Sequence, residues 1–535
     1  MQMLSGLDAS FLYLESAQMP MHVGALHWLE LPATYRGDFL ADLRRHMASR
    51  LPLAKALRRK LVMMPLNLAS PAWLDAQPDI EQHVIGIKLR RGSGLAELQR
   101  QVGRLHAVLL DRDRPLWKFH LFEGLRDTAD GRKRYALYTQ LHHAAVDGQA
   151  AVALAQAILD VTATPREIAA TPKRESRGQF GVAEMLRGAL ANQLEQVGKM
   201  LKALPGAVGQ LGQAAAAGSD PAASRGLKAL VAQFSGAAAN AASSRGTTVS
   251  NLSLAPRTRL NATVSERRAF AAVSLPLDEL NAVRRRHQAS LNDALLMICS
   301  GALRRYFQEH GPLPRKSLVA AVPVSLRAKG DTASNNQASI TLMSLGTHLA
   351  DPAKRLAHVL AASAAMKGTL GNVKNLLPTD FPSIGVPWLL QGVTALASRS
   401  RWAEKLPALA NLTISNVPGP TEPLYLAGAR LLSFHPTSIV THGLALNITV
   451  QSYHGSLDFG LMACAQAMPD VSELAAHLRS AFAEFAALPA PQQPATEPPV
   501  ASARRSTRLP RTKARSARES GVSRAQAPMP RRGSG

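Results

Sequence analysis

Cysteine, acidic residues and long apolar runs are all scarce in this 535-residue chain. Its two cysteines, Cys299 and Cys464, support neither a disulfide scaffold nor a cysteine zinc site, and no metal is expected. No uninterrupted apolar stretch approaches the roughly 20 residues that a membrane-spanning helix needs. The N-terminus has no basic start followed by an apolar run, as a secretory signal would. A cytoplasmic protein with at most peripheral membrane contact is therefore expected.

Acidic residues are few: 37 Asp and Glu stand against 62 Lys and Arg, a formal net charge of +25. Residues 501–535 hold ten basic residues, one acid (Glu519) and almost no large apolar side chains, a composition typical of disorder. Three roles stay open for this tail: attachment to anionic lipid, non-specific binding of nucleic acid, or a solvated segment without a partner. No sequence-specific nucleic-acid partner is expected.

Length and composition predict more than one domain. The chain is too long for one ordinary core, and 46% of its residues are hydrophobic. We expect an N-terminal domain at 1–165, an Ala- and Gly-rich crossover at 166–257, a second domain at 258–488 and a disordered basic tail at 489–535. Apolar residues recur at helical spacing within the crossover and predict an amphipathic helix, which packs on the protein or lies on a membrane. These residues are Met185, Leu186, Leu190, Leu194, Val197, Leu201 and Leu204.

Strand-like and helix-like segments alternate in the second half. Residues 317–324 and 445–450 are rich in branched apolar side chains and predict strands, whereas 353–370 and 471–488 predict helices. The chain is therefore expected to be of the mixed α/β (α+β) class.

The segment 141–148, Leu-His-His-Ala-Ala-Val-Asp-Gly, holds the most informative chemistry. The residues before it predict a strand over 134–141, and those after it predict a helix over 149–160. An imidazole exchanges protons near neutrality and can activate a hydroxyl nucleophile. Because successive strand side chains point to opposite faces, we expect one of His142 and His143 to be structural.

Two further features of this segment leave alternatives open. Asp147 either orients a histidine or pairs with a cation that holds the loop, and Gly148 permits a positive φ. Histidines without a catalytic role are the plain alternative for the whole segment. The combination of two histidines, Asp and Gly between a strand and a helix favours a catalytic centre.

The HHxxxDG pattern is similar to the signature of the coenzyme A-dependent acyltransferase superfamily. Further segments, in the same order along 3–487, resemble the bacterial wax ester synthase/diacylglycerol acyltransferase family. They are 4–9, 20–24, 111–117 with Pro115, Leu116 and Trp117, 291–293, 322–327, 415–420 and 443–447.

This resemblance implies two chloramphenicol acetyltransferase-like domains with an active-site tunnel at their interface. It implies acyl-CoA as co-substrate, no bound cofactor, and diacylglycerol or a long-chain alcohol as acceptor. Such an enzyme is expected in the cytoplasm, peripherally associated with the inner membrane face or with lipid inclusions. Two other functions stay in view: a condensation or transesterification enzyme with a carrier-bound donor, and a non-catalytic coat protein of lipid droplets.

The resemblance also assigns roles to single residues. His143 would be the general base, His142 a supporting residue and Asp147 a structural one, with Arg327 as our hypothesis for its ion-pair partner. Two roles stay open for Asn292 from its own chemistry: its amide can donate to the oxyanion, or Asn292 and Asp293 cap the following helix with Asn292 at the N-cap.

Other family elements point to structural roles or depart from the pattern. The Pro115–Leu116–Trp117 element and the turn at 416–420 are expected to be structural rather than catalytic. The sequence departs from the family pattern at Lys118, where an acid is expected, and at Gln140, where a lysine is common. We interpret this double change as a lost or rewired ion pair.

Overall fold

The computed structural model describes residues 2–63, 71–146, 148–168, 254–325, 338–370 and 407–490. The predicted amphipathic helix of the crossover and the basic tail lie outside these residues. Within them, no helix is long and apolar enough to cross a membrane.

Helices flank two large sheets. In chain order they are α1 (Gly6–Leu14), α2 (Phe39–Arg50), α3 (Ile80–His83), α4 (Leu95–His106), α5 (Gly148–Ile158), α6 (Leu277–Arg286), α7 (Leu291–Glu309), α8 (Pro352–Leu370) and α9 (Val471–Ala486). Local sequence explains several starts: Ser5 caps α1 by accepting from the backbone N–H of Asp8, and Asp38 caps α2 by accepting from that of Ala41.

The strands alternate with these helices. In chain order they are β1 (Gln2–Met3), β2 (His22–Leu31), β3 (Arg59–Val62), β4 (Ala72–Asp75), β5 (Val84–Ser93), β6 (Trp117–Leu125), β7 (Lys133–His142), β8 (Arg268–Pro276), β9 (Val319–Ser325), β10 (Ala338–Ser344), β11 (Leu412–Val417), β12 (Tyr425–Leu426), β13 (Ala429–Leu431), β14 (His435–Thr437), β15 (Leu446–Tyr453) and β16 (Ser456–Cys464).

The first large sheet has the order β12-β13-β2-β7-β6-β5, and β14 also pairs with β2. Its centre is the antiparallel pair β2 and β7, whose register places His22 directly opposite His142. A small sheet of order β1-β4-β3 lies beside it. The sheet thereby delivers the histidine segment from one of its central strands.

The second large sheet has the order β10-β9-β11-β15-β16-β8 and mixes parallel and antiparallel pairs. Its core joins the sheet to α6, α7, α8 and α9, and includes Leu296, Ile448 and Phe459. Each fully buried apolar side chain of this size contributes about 1.5–3 kcal/mol to stability. The predicted strands near 317–324 and 445–450 and the predicted helices near 353–370 and 471–488 are confirmed.

The two halves of the chain interlock. Strands β12, β13 and β14 come from the second half but complete the first sheet. A separate apolar cluster joins residues of the first sheet, such as Phe122, to residues of the second, such as Phe270 and Met462. Helix α4 approaches β8 so closely that a Cβ on Gly103 would lie 2.7 Å from the Arg268 carbonyl oxygen. Gly103, which costs helix stability, is therefore explained by packing.

Candidate active site

The histidine segment lies at the predicted junction between a strand and a helix. Strand β7 ends at His142, residues 143–145 form a turn, and α5 begins at Gly148. The two histidines have different surroundings: His142 is fully buried, whereas His143 is partly exposed at the first turn position. The strand ends between the two histidines, so their side chains lie in different surroundings, as expected for neighbours at a strand end.

The hydrogen bonds of His142 assign its tautomer. The backbone N–H of Ala144 donates to Nδ1 at 3.0 Å, so Nδ1 is the acceptor. Nε2 then carries the proton and faces the carboxylate of Glu15, with Oε1 at 3.2 Å. Both ring nitrogens are thus engaged by the protein, and the ring is fixed in orientation.

Glu15 is the centre of this arrangement, and its side chain is only 2% exposed. In addition to this contact with His142, its carboxylate accepts from the Met21 backbone N–H at 3.2 Å and from Arg112 Nη2 at 2.9 Å. Burial raises the pKa of Glu15, but the hydrogen bonds and charges of His142 and Arg112 outweigh it and lower that pKa to about 2. Glu15 is therefore a carboxylate at neutral pH.

A second buried histidine faces the same carboxylate. His22 Nδ1 lies 3.9 Å from Glu15 Oε1, and its ring meets that of His106 edge-on at 5.4 Å. Burial lowers the pKa of His22 to about 4, against the opposing charge of Glu15. His22 is therefore neutral near pH 7 and adds polar packing without charge.

His143 is held by its backbone and by its ring. Its N–H donates to the Met21 carbonyl at 2.8 Å, which ties the turn to the segment before β2. The imidazole stacks on Phe11 of α1, with ring centroids 4.1 Å apart and planes inclined by 16°. Helix α1 therefore supplies one wall of the His143 environment, and Met21 is held by both Glu15 and His143.

The Pro115–Leu116–Trp117 element packs directly behind the turn. The Leu116 carbonyl accepts from the His142 N–H at 3.0 Å. Trp117 is buried, stacks on His83 at 4.3 Å and donates from Nε1 to the Leu57 carbonyl at 3.0 Å. The Pro115–Leu116–Trp117 element therefore supports the histidine segment through packing and backbone contacts.

Two predicted site residues, Asp147 and Arg327, lie outside the described residues. The ion pair between them stays a prediction. Asn292 is described, and our N-cap interpretation of it is wrong: α7 begins at Leu291 and its N-cap is Ser290. Ser290 and Asp293 form the reciprocal capping box, which leaves Asn292 at the second helical position and partly exposed.

The two departures from the family pattern are neighbours in the sheet. Lys118 on β6 and Gln140 on β7 are direct register partners, so their side chains share one face. An acid and a lysine at these positions would meet across the strands. Here the buried Gln140 amide instead donates to the carbonyls of Val108, at 3.1 Å, and Leu105, at 3.4 Å. This geometry fits a rewired pair.

Glu15 and the role of Arg112 were not anticipated from the sequence. Arg112 belongs to the quoted segment 111–117, but nothing local connects it to Glu15. The residues that hold His142 come from the C-cap of α1, from the segment before β6 and from β2, and only the fold brings these three parts of the chain together.

One group of side chains has metal-ligand chemistry in the described part of the chain. Donor atoms of Glu309, His310 and Glu473 lie within 4.8 Å of one another. His310 already contacts Glu473 at 2.7 Å through Nε2 and Asp470 at 3.3 Å through Nδ1. Carboxylates therefore already contact both ring nitrogens of His310.

Comparison with known proteins identifies the family. Residues 4–295 match the wax ester synthase/diacylglycerol acyltransferase catalytic domain, and residues 334–486 match the C-terminal domain of the same family. A putative diacylglycerol O-acyltransferase of Mycobacterium tuberculosis is 36% identical over 90% of this chain and 99% of its own. The O-acyltransferase WSD of Acinetobacter baylyi is 31% identical over 92% of this chain and 99% of its own.

A solved structure agrees with these sequence relatives. The wax ester synthase/diacylglycerol acyltransferase from Marinobacter aquaeolei VT8 superposes with a TM-score of 0.61 at 26% identity, over 91% of this chain and all of that one. The fold, the HHxxxDG segment at the strand-to-helix junction and the two matched domains all indicate the same family. The chain therefore belongs to the wax ester synthase/diacylglycerol acyltransferase family of acyltransferases.

Proposed function

We propose that this protein moves a long-chain acyl group from acyl-CoA to the hydroxyl of diacylglycerol or of a long-chain alcohol. The observation that carries the proposal is the position of His143, which lies partly exposed at the turn of HHxxxDG and is held by Met21 and Phe11. The name of the Mycobacterium relative supports diacylglycerol as acceptor, and that of the Marinobacter structure supports both acceptor classes.

In the proposed mechanism the imidazole of His143 removes the proton from the acceptor hydroxyl. The oxygen then attacks the thioester carbonyl carbon, a C–O bond forms, and the C–S bond breaks. His143 returns the proton to the departing thiolate, so the products are an ester and free coenzyme A. No acyl-enzyme forms, and holding both substrates beside one base supplies much of the rate.

Other residues have supporting roles in this proposal. His142 and Glu15 hold the turn that carries His143, and Pro115, Leu116 and Trp117 support it from behind. Asp147 pairs with Arg327 to fix the loop, while Gly148 lets the chain turn into α5. Asn292 donates to the oxyanion from the start of α7, where a helix N-terminus also favours negative charge.

The proposal extends to organisation and location. An N-terminal domain at 1–165 and a second domain at 258–488 enclose an active-site tunnel, with strands β12 to β14 of the second domain completing the first sheet. The crossover at 166–257 connects the two domains, and the basic tail at 489–535 follows them. The enzyme works at the inner membrane face or at lipid inclusions, where its acceptor is dissolved.

The experiment is release of coenzyme A from palmitoyl-CoA, with diacylglycerol or hexadecanol as acceptor, by the wild type and His143→Ala. His348→Ala is the matched control, because it removes an exposed imidazole elsewhere. Acceptor-dependent release that only His143→Ala abolishes is the expected result. The better acceptor assigns the main product as triacylglycerol or wax ester.

Absence of release with both acceptors, from folded wild-type protein on lipid vesicles, contradicts the proposal. A carrier-bound acyl donor is then tested in the same assay. Loss of activity in both histidine variants would contradict the special role of His143.

A further inference from the structure

A cavity of about 430 Å³ opens between α4 and the start of β8. Its walls include apolar side chains, such as Leu105 and Val108, and three arginines: Arg104, Arg267 and Arg268. The close approach of α4 to β8 at Gly103 brings Arg104 to the same opening as the other two. Two of the arginines, Arg104 and Arg267, are exposed at the mouth, and Arg268 is buried.

Arg268 differs from the other buried arginines of the described residues. Arg50 lies 2.9 Å from Asp160, and Arg355 contacts Glu484.

Arg268 donates only to backbone carbonyls, those of Ser265, Arg267 and Gln18. Burial lowers its pKa to about 10, so it keeps its positive charge at neutral pH. The neighbouring Cys464 thiol opposes this fall in the Arg268 pKa, but no described carboxylate pairs with Arg268. A buried charge without a carboxylate partner is costly, and such groups mark ligand sites.

The exposed arginines also lack acidic partners within the part of the chain that the structure describes. Neither Arg104 nor Arg267 lies within ion-pair distance of a described carboxylate. The neighbouring acid, Glu266, instead accepts from Gln18 Nε2 at 3.4 Å. The cavity therefore gathers three positive charges that no described carboxylate pairs with.

One short segment of chain, residues 18–21, contacts both Arg268 of this cavity and the catalytic turn. Arg268 binds the Gln18 carbonyl, and the Met21 carbonyl accepts from the His143 N–H at 2.8 Å. Three residues of chain span at most about 11 Å. An apolar cluster that includes Met19, Met21 and Cys464 fills the space around this segment.

We propose that the cavity lined by Arg104, Arg267 and Arg268 binds the phosphate-bearing end of coenzyme A. Guanidinium groups match phosphate oxygens in charge and geometry, and apolar walls accommodate the rest of a nucleotide. The inference rests on the proposed function, because acyl-CoA is its donor. The phosphate of an anionic lipid headgroup has the same chemistry and is separated from coenzyme A by the experiment.

The test uses the double variant Arg104→Gln/Arg267→Gln, which alters only exposed side chains and leaves the buried Arg268 in place. Arg90→Gln/Arg91→Gln removes the same charge from exposed positions on β5 and is the matched control. Calorimetric titration with coenzyme A is expected to show a Kd about tenfold or more weaker in the first variant alone. Titration with pantetheine, which lacks the nucleotide, is expected to be unchanged in both.

Turnover gives an independent readout. With palmitoyl-CoA the Arg104→Gln/Arg267→Gln variant is expected to show a raised KM at similar kcat, whereas palmitoyl-pantetheine should give wild-type values. Flotation with phosphatidylglycerol vesicles should match the wild type. Lost flotation with unchanged coenzyme A binding would assign the cavity to lipid headgroups and overturn the proposal.

Equal weakening in the variant and the Arg90/Arg91 control would also overturn the proposal, because it would reflect net charge alone. The titration needs no turnover, so it separates two failures. If the wild type binds coenzyme A at this cavity but transfers no acyl group, the proposed function is contradicted and the proposed binding site stands. If the enzyme is active but the variant binds coenzyme A as the wild type does, the binding site is contradicted and the proposed function stands.

Discussion

Glu15 Oε1 lies 3.2 Å from Nε2 of His142, and through this contact the C-cap residue of α1 holds the strand end that precedes His143. The carboxylate also accepts from the Met21 N–H, and the Met21 carbonyl accepts from the His143 N–H. One buried acid therefore fixes both the first histidine and the backbone to which the second is bound. This makes Glu15 a positioning residue for the proposed base.

Removing the Glu15 side chain is expected to lower kcat. Glu15→Ala frees His142 and the Met21 N–H, and a displacement of His143 by about 1 Å can cost up to a hundredfold in rate. Because no substrate touches Glu15 in the proposed mechanism, the KM for palmitoyl-CoA should change little. Glu15→Gln keeps an acceptor for His142 and should retain more activity than Glu15→Ala. Steady-state kinetics of both variants check this.

Two results would contradict that role. Equal activities of Glu15→Gln and Glu15→Ala would show that the contact between Glu15 and His142 is unimportant. A raised KM at unchanged kcat would point to contact between Glu15 and substrate. Circular dichroism and urea unfolding of each variant control for a general loss of folding.

The depressed pKa of Glu15 predicts acid sensitivity. A carboxyl whose pKa falls from 4.5 to about 2 on folding stabilises the protein by about 3 kcal/mol above pH 4.5. That stability is lost as the pH falls from 4.5 towards 2. Glu15→Gln cannot titrate, so its unfolding free energy should depend less on pH in this window. Urea unfolding at pH 5 and pH 3 measures the difference, and identical pH dependence would contradict it.

The Lys118 and Gln140 pair predicts a measurable coupling. Gln140→Lys places a second amine beside Lys118 and removes the amide donors to Leu105 and Val108, at a cost of about 2–4 kcal/mol. Adding Lys118→Glu should recover part of this loss by restoring opposite charges across the strands. A double-mutant cycle of urea unfolding gives the coupling energy, and additive single effects would rule out the rewired pair.

The elements with clear periodicity could be predicted from the sequence. Strands β9 and β15 and helices α8 and α9 follow apolar patterns long enough to distinguish the two periods. The junction at His142 could be predicted for the same reason. The N-cap of α7 is Ser290 and not Asn292, and the sequence carries the signal for it, because Ser290 and Asp293 have capping-box spacing.

The contacts around the site could not be predicted in this way. Strands β12 and β13 have two and three residues, too few for any periodicity, yet they extend the first sheet. The Glu15 contact with His142 joins positions far apart in the chain, and no spacing rule connects them. The role of the buried Glu15 carboxylate, at the C-cap of α1, can be recognised only when the register of β2 and β7 is known.

The buried histidines are expected to cause a second loss of stability in acid, at a higher pH than the loss caused by Glu15. Burial lowers the pKa of His22, His27 and His120 to about 4 each. The unfolded chain protonates them below about pH 6.5, so stability falls as the pH drops from 6.5 to 4, by about 2 kcal/mol for each at pH 5. His27→Gln should therefore lose less stability than the wild type between pH 7.5 and pH 5. Equal losses in urea unfolding would contradict this.

Trp117 is expected to support the fold without entering the chemistry. Trp117→Ala should lower the unfolding free energy by about 3–5 kcal/mol, because it empties a buried site between His83 and Phe119. Trp117→Phe keeps most of that packing but leaves the Leu57 carbonyl without its donor, at about 1–2 kcal/mol. Since the Leu116 carbonyl still holds the His142 N–H, kcat of Trp117→Phe should stay near wild type. A large fall in kcat for this folded variant would contradict a purely structural role and would show that the indole hydrogen bond to Leu57 positions the catalytic turn.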